Sequence, residues 1–241
     1  MRSVYLRGCK QGCTYACRNR CRKKNAQAAL VLLSGGLDSA TCLYWAKNKF
    51  TNVSLITFNC FDRAKQEKLA ALQIAKAAGF ESLLEIDIPF VREYSDLGKT
   101  VKRNQDDRLP TYIPSRNLIF YSIAAHFAES LGIKWIIGGH NDHDGTFFKD
   151  ATSDYIDKIN LLFKQGSPIS GHDPCMILTP VGKMSRKEVV GLAINLHVPL
   201  ELTWSCHGKS RRHCGTCFAC RQRLEAFKSL GISDPVFKEH L

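Results

Sequence analysis

Short apolar runs alternate with longer amphipathic stretches along the chain from Ala28 onward. Such alternation is typical of a parallel α/β sheet, in which buried strands are joined by helices that cover them. It predicts strands over residues 29–33, 53–58, 83–88, 135–138 and 176–179, and helices over residues 39–49, 63–78, 116–131, 155–163 and 186–196. A chain of 241 residues can bury a sizeable core as one domain, and it shows no internal repeat, so we expect a single α/β domain.

The positive charge of the chain is concentrated at its N-terminus. The 241 residues carry 34 basic and 22 acidic side chains, a formal net charge of +12. Residues 1–25 hold eight of the basic groups and no acidic one, so the other 216 residues carry only +4. We therefore expect a flexible basic arm over 1–25 and a folded domain over 26–241. The arm would contact RNA or another acidic surface, or stay solvated without a partner.

Hydropathy and cysteine usage predict a cytoplasmic protein. No uncharged apolar run approaches the ~20 residues that span a bilayer, and the basic N-terminus lacks the apolar region of a secretory signal. In a reducing compartment the 11 cysteines favour metal binding or chemistry over disulfides. Four of them repeat every four residues in the arm, and they indicate either a metal or iron–sulfur site or an unstructured extension: Cys9, Cys13, Cys17 and Cys21.

A turn rich in glycine and serine joins the first predicted strand to the first predicted helix. It spans residues 34–39, with the sequence Ser-Gly-Gly-Leu-Asp-Ser. Glycines let the backbone approach an anion closely, and the free N–H groups at a helix start favour a phosphate. Asp38 would repel a bare phosphate, so it would hold Mg²⁺ or orient the loop. The alternative is an ordinary strand-to-helix turn.

This 34–39 loop resembles the pyrophosphate loop of the N-type ATP pyrophosphatases. It is not a Walker A loop, because no lysine follows the glycines. The resemblance implies ATP as a co-substrate, an adenylated intermediate, release of pyrophosphate, and a Rossmann-like sheet of the adenine nucleotide alpha hydrolase type. The nucleotide-binding residues that it implies are Leu33, Ser34, Gly35, Gly36, Leu37, Asp38, Ser39, Ala40, Thr41, Cys42 and Leu43.

Four cysteines lie close together near the C-terminus. Their spacing, C-x7-C-x2-C-x2-C, lets four thiolates close a tetrahedron around Zn²⁺ at about 2.3 Å. A zinc ion with four cysteine ligands has no open position, so we expect a structural zinc knuckle over residues 203–231. The alternative is four unrelated thiols. The predicted ligands are Cys206, Cys214, Cys217 and Cys220.

Three ordered blocks of the sequence resemble the 7-cyano-7-deazaguanine synthase family. They are the 34–39 loop, the segment 112–117 (Tyr-Ile-Pro-Ser-Arg-Asn) and the cysteine-rich segment 202–231. The resemblance implies ATP-dependent conversion of 7-carboxy-7-deazaguanine and ammonia to the 7-cyano product, for queuosine or archaeosine. It implies a first adenylation, displacement of AMP by ammonia to give an amide, and a second adenylation that allows dehydration to the nitrile. Homodimers are common in this family.

The same resemblance suggests residues for the chemistry. Asp38 and Arg116 are the expected catalytic residues. A helix N-cap role is the alternative for Arg116 and Asn117. The expected substrate contacts are Asn117, Asp144, Phe148 and Asp150.

Three positions depart from the family pattern. Residues 60–64 (Cys-Phe-Asp-Arg-Ala) replace a Tyr-Gly-Gln-Arg-His type of segment, and 144–152 lacks the usual Gly-Tyr-Pro turn and Cys-Arg pair. Arg186 stands where lysine is common. The altered loop motivates one alternative, a related enzyme that joins the adenylated carboxylate to another amine, such as one on a protein. A second alternative is an RNA-binding module that uses the zinc knuckle and the basic arm. The polar run 140–144 indicates either a second metal site or a polar pocket.

Overall fold

The computed structural model describes residues 27–60, 63–89, 113, 115–166, 173–208 and 210–240. The basic arm 1–25 and its four cysteines lie outside these ranges, so the predictions made for them stay predictions. In the described part of the chain, no helix combines the length and the hydropathy that crossing a membrane requires.

Five parallel strands form one sheet with the order β3-β2-β1-β4-β5. The central strand is β1. The chain adds β2 and β3 on one side of β1 and then crosses over to add β4 and β5 on its other side. In α/β sheets, ligands bind outside the carboxyl ends of the strands at such a switch point. The strands are β1 (Ala28–Leu32), β2 (Asn52–Cys60), β3 (Leu84–Ile88), β4 (Trp135–Ile137) and β5 (Met176–Leu178).

Seven α-helices lie among the described residues, and they cover both faces of the sheet. They are α1 (Leu37–Lys49), α2 (Lys65–Ala77), α3 (Arg116–Ser130), α4 (Asp142–Phe147), α5 (Ser153–Gly166), α6 (Arg186–Asn195) and α7 (Phe218–Ser229). Single 3₁₀ turns occupy Lys149–Ala151, Leu200–Leu202 and Pro235–His240. The predicted α/β class is confirmed, and each predicted strand and helix overlaps an observed one. The sequence analysis missed α4 and α7 as helices.

The strand β1 is buried on both faces because its side chains alternate between two cores. Ala29 and Val31 pack into the core that α1, α2, α6 and α7 cover. Ala28 and Leu30 pack into the opposite core, which α3 and α5 cover. A strand buried on both sides must be apolar at every position, which is why this one reads as a continuous apolar run. The loop that follows it is thereby fixed to the most buried element of the fold.

Candidate functional site

The 34–39 loop leaves the carboxyl end of β1 and enters α1 through a backbone that requires glycine. Gly35 has a φ of +100°, and a Cβ atom there would lie 2.5 Å from the carbonyl oxygen of Glu67 and 2.8 Å from the amide of Ala71. The loop therefore rests directly on the first turns of α2. Close packing of this kind lets only glycine occupy the position.

Two serine hydroxyls join the start of the loop to its end. The Ser39 hydroxyl donates to the Gly36 carbonyl at 3.0 Å and accepts from the Ser34 amide at 3.2 Å. The Ser34 hydroxyl lies 3.0 Å from that of Ser39 and accepts from the Gly36 amide at 3.2 Å. The hydrogen bonds are mutually consistent, since each hydroxyl then donates once. The loop is thus preorganised before any ligand arrives.

The remaining predicted nucleotide residues lie mainly beneath the loop. Leu37, Ala40, Thr41, Cys42 and Leu43 are buried on α1. The Cys42 thiol is hydrogen-bonded to the carbonyl of Gly138, and burial raises the pKa of that thiol. These side chains support the helix whose amino end meets the loop. Leu33 is buried as well, directly after β1, and it lines a cleft that opens beside the loop.

Asp38 projects from the first turn of α1 into a cluster of polar side chains. Its Oδ2 accepts from the amide of Asn141 at 3.2 Å and from Arg186 Nη1 at 3.4 Å. The other guanidinium nitrogen of Arg186 donates to Asp144 Oδ1 at 3.2 Å. One arginine therefore faces two carboxylates, which come from the first turns of two different helices, α1 and α4.

This cluster is only partly satisfied. Among the described residues, Asp38 Oδ1 and Arg186 Nε are buried without a hydrogen-bond partner. Burial raises the pKa of Asp38 to about 6, and the nearby Arg186 opposes that rise. Burial also raises the pKa of Asp144, again against the arginine. A buried carboxylate oxygen without a partner is the group that a cation would complete.

Two clefts open beside the loop, and Ser34, Arg63, Ile113 and Arg116 line both of them. The smaller one has a volume of about 160 Å³, and its walls are the carboxyl ends of β1 and β2 together with Phe120. It is a mainly apolar chamber. The larger cleft, about 720 Å³, runs from the loop to the cysteine-rich segment. Cations line it on both sides, namely Arg63, Lys65, Arg116 and Arg211.

Arg116 lies on both clefts, whereas Asn117 does not reach either described lining. Asn117 is 4% exposed, and its side-chain amide donates to the Asp150 carbonyl at 3.2 Å. The backbone N–H of Asn117 lies 3.4 Å from the Asp150 carboxylate, which therefore serves the amino end of α3. Ser115, the residue before α3, has a φ of +55° and makes no side-chain cap. The geometry thus gives Asn117 a structural contact, although it does not occupy the N-cap position, which is Ser115.

The other predicted substrate contacts also lie away from the described cleft walls. Asp144 forms a reciprocal capping box with Asn141 at the start of α4. Phe148 ends that helix with a backbone bond to Asp144. In the described ranges, the four cysteines are the only group of three or more metal-ligand side chains that converges. The two interpretations of residues 140–144 therefore stay predictions. Burial lowers the pKa of His140 to about 4, which keeps this ring neutral.

The four predicted cysteine ligands do converge. The sulfur atoms of Cys206, Cys214, Cys217 and Cys220 all lie within 4.8 Å of one another. Hydrogen bonds from the Thr216 hydroxyl and from the Cys217 amide lower the pKa of the Cys214 thiol to about 6. The cysteine-rich segment fits a four-coordinate metal knuckle, as the spacing predicted.

Sequence reasoning missed how the knuckle is fastened to the loop. The Trp204 amide donates to the Gly35 carbonyl at 2.9 Å, and the indole N–H donates to the Cys206 carbonyl at 2.8 Å. The ring of Trp204 packs on His213 with centroids 4.3 Å apart. Burial lowers the pKa of His213 to about 4, so its neutral Nε2 accepts from the Ser205 amide. The one available signal was the position of Trp204 two residues before Cys206.

Comparisons with known proteins give a consistent result. The family model described as queuosine biosynthesis protein QueC matches residues 28–231. A 7-cyano-7-deazaguanine synthase from Nostoc punctiforme is 34% identical over 227 residues, covering 86% of this chain and 98% of the relative. One from Thermoplasma volcanium is 34% identical over 215 residues, covering 86% and 89%. The solved NMN synthetase of Francisella tularensis has the same fold, with a TM-score of 0.50, 14% identity and coverage of 89% and 82%.

Proposed function

Because the chain belongs to the family of the queuosine biosynthesis protein QueC, we propose that it converts 7-carboxy-7-deazaguanine and ammonia to 7-cyano-7-deazaguanine at the expense of ATP. The observation that carries this proposal is the preorganised 34–39 loop at the switch point of the sheet, with an apolar chamber on one side and a basic cleft on the other. Each part matches one portion of the reactants.

The shapes of the clefts suggest how the reactants divide between them. Adenine is flat and largely apolar, and it suits the chamber of about 160 Å³ with Phe58 and Phe120 in its walls. The phosphates then meet the loop and the amino end of α1, where backbone N–H groups and the helix dipole favour anions. The larger cleft, with Arg116 and Arg211, would take the carboxylate substrate.

The proposed reaction proceeds through two adenylations. A carboxylate oxygen attacks the α-phosphorus of ATP, and pyrophosphate leaves. Ammonia then displaces AMP and loses a proton, which gives the primary amide. A second ATP then adenylates the amide oxygen with release of pyrophosphate, and loss of AMP and of both N–H protons forms the nitrile. Activation is needed because a carboxylate oxygen is a poor leaving group, whereas AMP leaves as a stabilised anion.

Arg116 is the side chain best placed to act on this chemistry, since it lies on both clefts. Its guanidinium would bind the α-phosphate and balance the negative charge that develops there. The orphaned Asp38 Oδ1 fits a hard cation such as Mg²⁺, which Asp38 would hold beside the loop. When bound, Mg²⁺ would neutralise charge on the departing pyrophosphate.

The compactness of the cysteine cluster supports a zinc ion. Thiolates at about 2.3 Å from one tetrahedral ion stand about 3.8 Å apart, and the four sulfurs lie within 4.8 Å of one another. In a four-iron cluster each thiolate binds a different iron, so the sulfurs would be spread more widely. With four cysteine ligands the zinc would be structural, and it would fix the wall of the larger cleft that contains Cys206 and Gly208.

Mass spectrometry of the product is the decisive test. Purified full-length protein with 7-carboxy-7-deazaguanine, Mg-ATP and ammonium should yield the nitrile, with two AMP formed per product. Asp38→Ala should abolish AMP formation, whereas the matched control Asp154→Ala, an exposed carboxylate on α5, should leave it unchanged.

Other products would redirect the proposal. An amide that accumulates without nitrile would retain the adenylation and overturn the second step, in favour of ligation to another amine. Binding of RNA without any AMP formation would overturn the enzyme proposal altogether.

A further inference from the structure

Two hydrogen-bond donors from outside the 34–39 loop hold two successive carbonyl groups of the loop. Arg63 Nη2 donates to the Ser34 carbonyl at 2.6 Å. The Trp204 amide donates to the Gly35 carbonyl at 2.9 Å. The donors come from opposite flanks, one from the segment after β2 and one from the segment that leads to the cysteines. Neither donor belongs to the loop or to α1.

Arg63 is itself braced against the end of β2. Its Nη1 donates to the Thr57 hydroxyl at 3.0 Å, to the Phe58 carbonyl at 3.1 Å and to the Asn59 side-chain oxygen at 3.0 Å. Its Nε lies 3.8 Å from the Glu67 carboxylate and has no hydrogen-bond partner, and the side chain is only 8% exposed. The guanidinium thus links three acceptors on β2 to one carbonyl of the loop. Arg63 lines both clefts, but its two terminal nitrogens already donate to protein acceptors, so the contacts that it makes in the structure hold the loop.

The direction of the loop amides follows from this arrangement. In a trans peptide the C=O and N–H groups point in opposite directions, and the described chain contains no cis peptide. Holding the Ser34 carbonyl toward Arg63 therefore turns the N–H of Gly35 away from Arg63. Holding the Gly35 carbonyl toward Trp204 likewise turns the N–H of Gly36 away from Trp204. The Gly36 N–H donates to the Ser34 hydroxyl at 3.2 Å, so the two held carbonyls fix the peptide planes that lead into the amino end of α1. The N–H groups of the first turn of a helix have no partner within the helix and favour an anion.

We propose that Arg63 is a positioning residue, which together with the Trp204 amide clamps the loop carbonyls so that the amino end of α1 faces the pyrophosphate portion of ATP. This inference rests on the proposed nucleotide site, and it assigns to Arg63 a role through the loop and not through contact with phosphate. The role demands the shape of a guanidinium. One ammonium group cannot reach the Ser34 carbonyl and the β2 acceptors together.

The test compares Arg63→Lys with Arg63→Met in the full-length, metal-loaded protein, with Mg-pyrophosphate as the probe in calorimetry. Both variants should lose affinity for pyrophosphate by about tenfold or more, because lysine restores the charge but not the bridge. Amide hydrogen exchange should accelerate at residues 34–36 while the protection of β1 and α1 is retained. Lys76→Met, an exposed cation on α2, is the matched control and should change neither readout.

The contrary outcomes overturn either the clamp or the nucleotide site on which it rests. Wild-type affinity in Arg63→Lys would mean that charge alone matters, which overturns the clamp. Accelerated exchange throughout β2 and α2 would mean that Arg63 only supports the fold, which also overturns it. Failure of the wild-type protein to bind Mg-pyrophosphate would overturn the proposed nucleotide site as well. If both variants unfold, Thr57→Val removes one brace of Arg63 and should still weaken pyrophosphate binding about threefold, and an unchanged affinity would overturn the clamp.

Discussion

Two arginines with carboxylate partners, Arg223 and Arg186, differ in how completely they are satisfied. Arg223 on α7 is 2% exposed and forms a bidentate pair with Asp234 at 2.6 and 3.0 Å. Its remaining N–H groups donate to the Leu200 carbonyl and to Thr203. Arg186 is 24% exposed, and its contacts to Asp38 and Asp144 are longer, at 3.4 and 3.2 Å.

The difference separates scaffold from site. A buried ion pair is tolerated where every donor and acceptor is used, and Arg223 meets that condition while it fixes the segment before the cysteine knuckle. Around Arg186, one carboxylate oxygen and one guanidinium N–H stay buried without a partner in the described structure. Such incompleteness costs stability and is retained where a ligand completes the arrangement. The two arginines are distinguished by whether every hydrogen-bonding group around them has a partner, more than by their burial or charge.

The largest expected effect is on the scaffold side. Arg223→Met should lower the free energy of unfolding by about 3–5 kcal/mol, because it leaves the fully buried Asp234 without its partner. Urea denaturation followed by circular dichroism measures this loss. Arg221→Met, at an exposed arginine of the same helix, should stay within about 0.5 kcal/mol of the wild type. A small loss in Arg223→Met would show that the satisfied pair contributes little, and the comparison would fail.

On the site side, Asp38→Asn should have opposite effects on activity and stability. Activity should fall about 100-fold or more, since the amide cannot hold a cation as a carboxylate does. Folding raises the pKa of Asp38 from 3.8 to about 6, so the folded state binds the proton more tightly than the unfolded state. The stability contribution of that proton is therefore present at low pH and is lost as the pH rises through about 6.

At neutral pH the ionised Asp38 is thus a cost, and Asp38→Asn should raise the free energy of unfolding by about 1–3 kcal/mol. Denaturation at pH 7.5 and at pH 4 measures the effect, which should be absent at the lower pH. Asp154→Asn on the surface of α5 serves as the control. If Asp38→Asn lowered the free energy of unfolding at neutral pH, the Asp38 carboxylate would have a structural role, as Asp234 does.

The smallest effect concerns pH dependence. Activity of the wild type should decline below about pH 6, where Asp38 takes up a proton. Arg186→Met removes the cation that opposes protonation of Asp38, so the acid limb should move upward by about one pH unit. Asn141 and Asp144 still face Asp38 in this variant. Lys187→Met, one position further along α6, should leave the limb in place. An unmoved limb in Arg186→Met would mean that the two charges are not coupled.

Sequence patterns sufficed for the architecture because they report local burial. The apolar run before the loop and the amphipathic stretch after it predicted β1 and α1 to within about two residues, and the cysteine spacing predicted which sulfurs converge. The helices α4 and α7 were missed for physical reasons. α4 has only six residues, five of them polar or small, and a capping box stabilises it, whereas α7 begins among the clustered cysteines, which conceal its period.

The candidate site was harder to predict, because its geometry depends on contacts between distant segments. Asp38 and Arg186 are 148 residues apart, and no local pattern indicates that they meet. Asn117 and Asp150 were expected to bind substrate, yet they are bonded to each other. Arg63 was recognisable as the residue that segment 60–64 shares with the family. Its hydrogen bond to the loop carbonyl depends on how β2 lies against β1, which sequence spacing does not encode.

The hydrogen bond between Trp204 and Gly35 has a consequence for how the protein is made. A ribosome delivers the loop early and the residue that holds its second carbonyl only 169 positions later. The sheet can assemble during that interval, since domains fold as the chain emerges, but the loop lacks one of its two holding points. The site is therefore finished only after Trp204 has been synthesised. We expect fragments that end before the cysteines to fold in part and to consume no nucleotide.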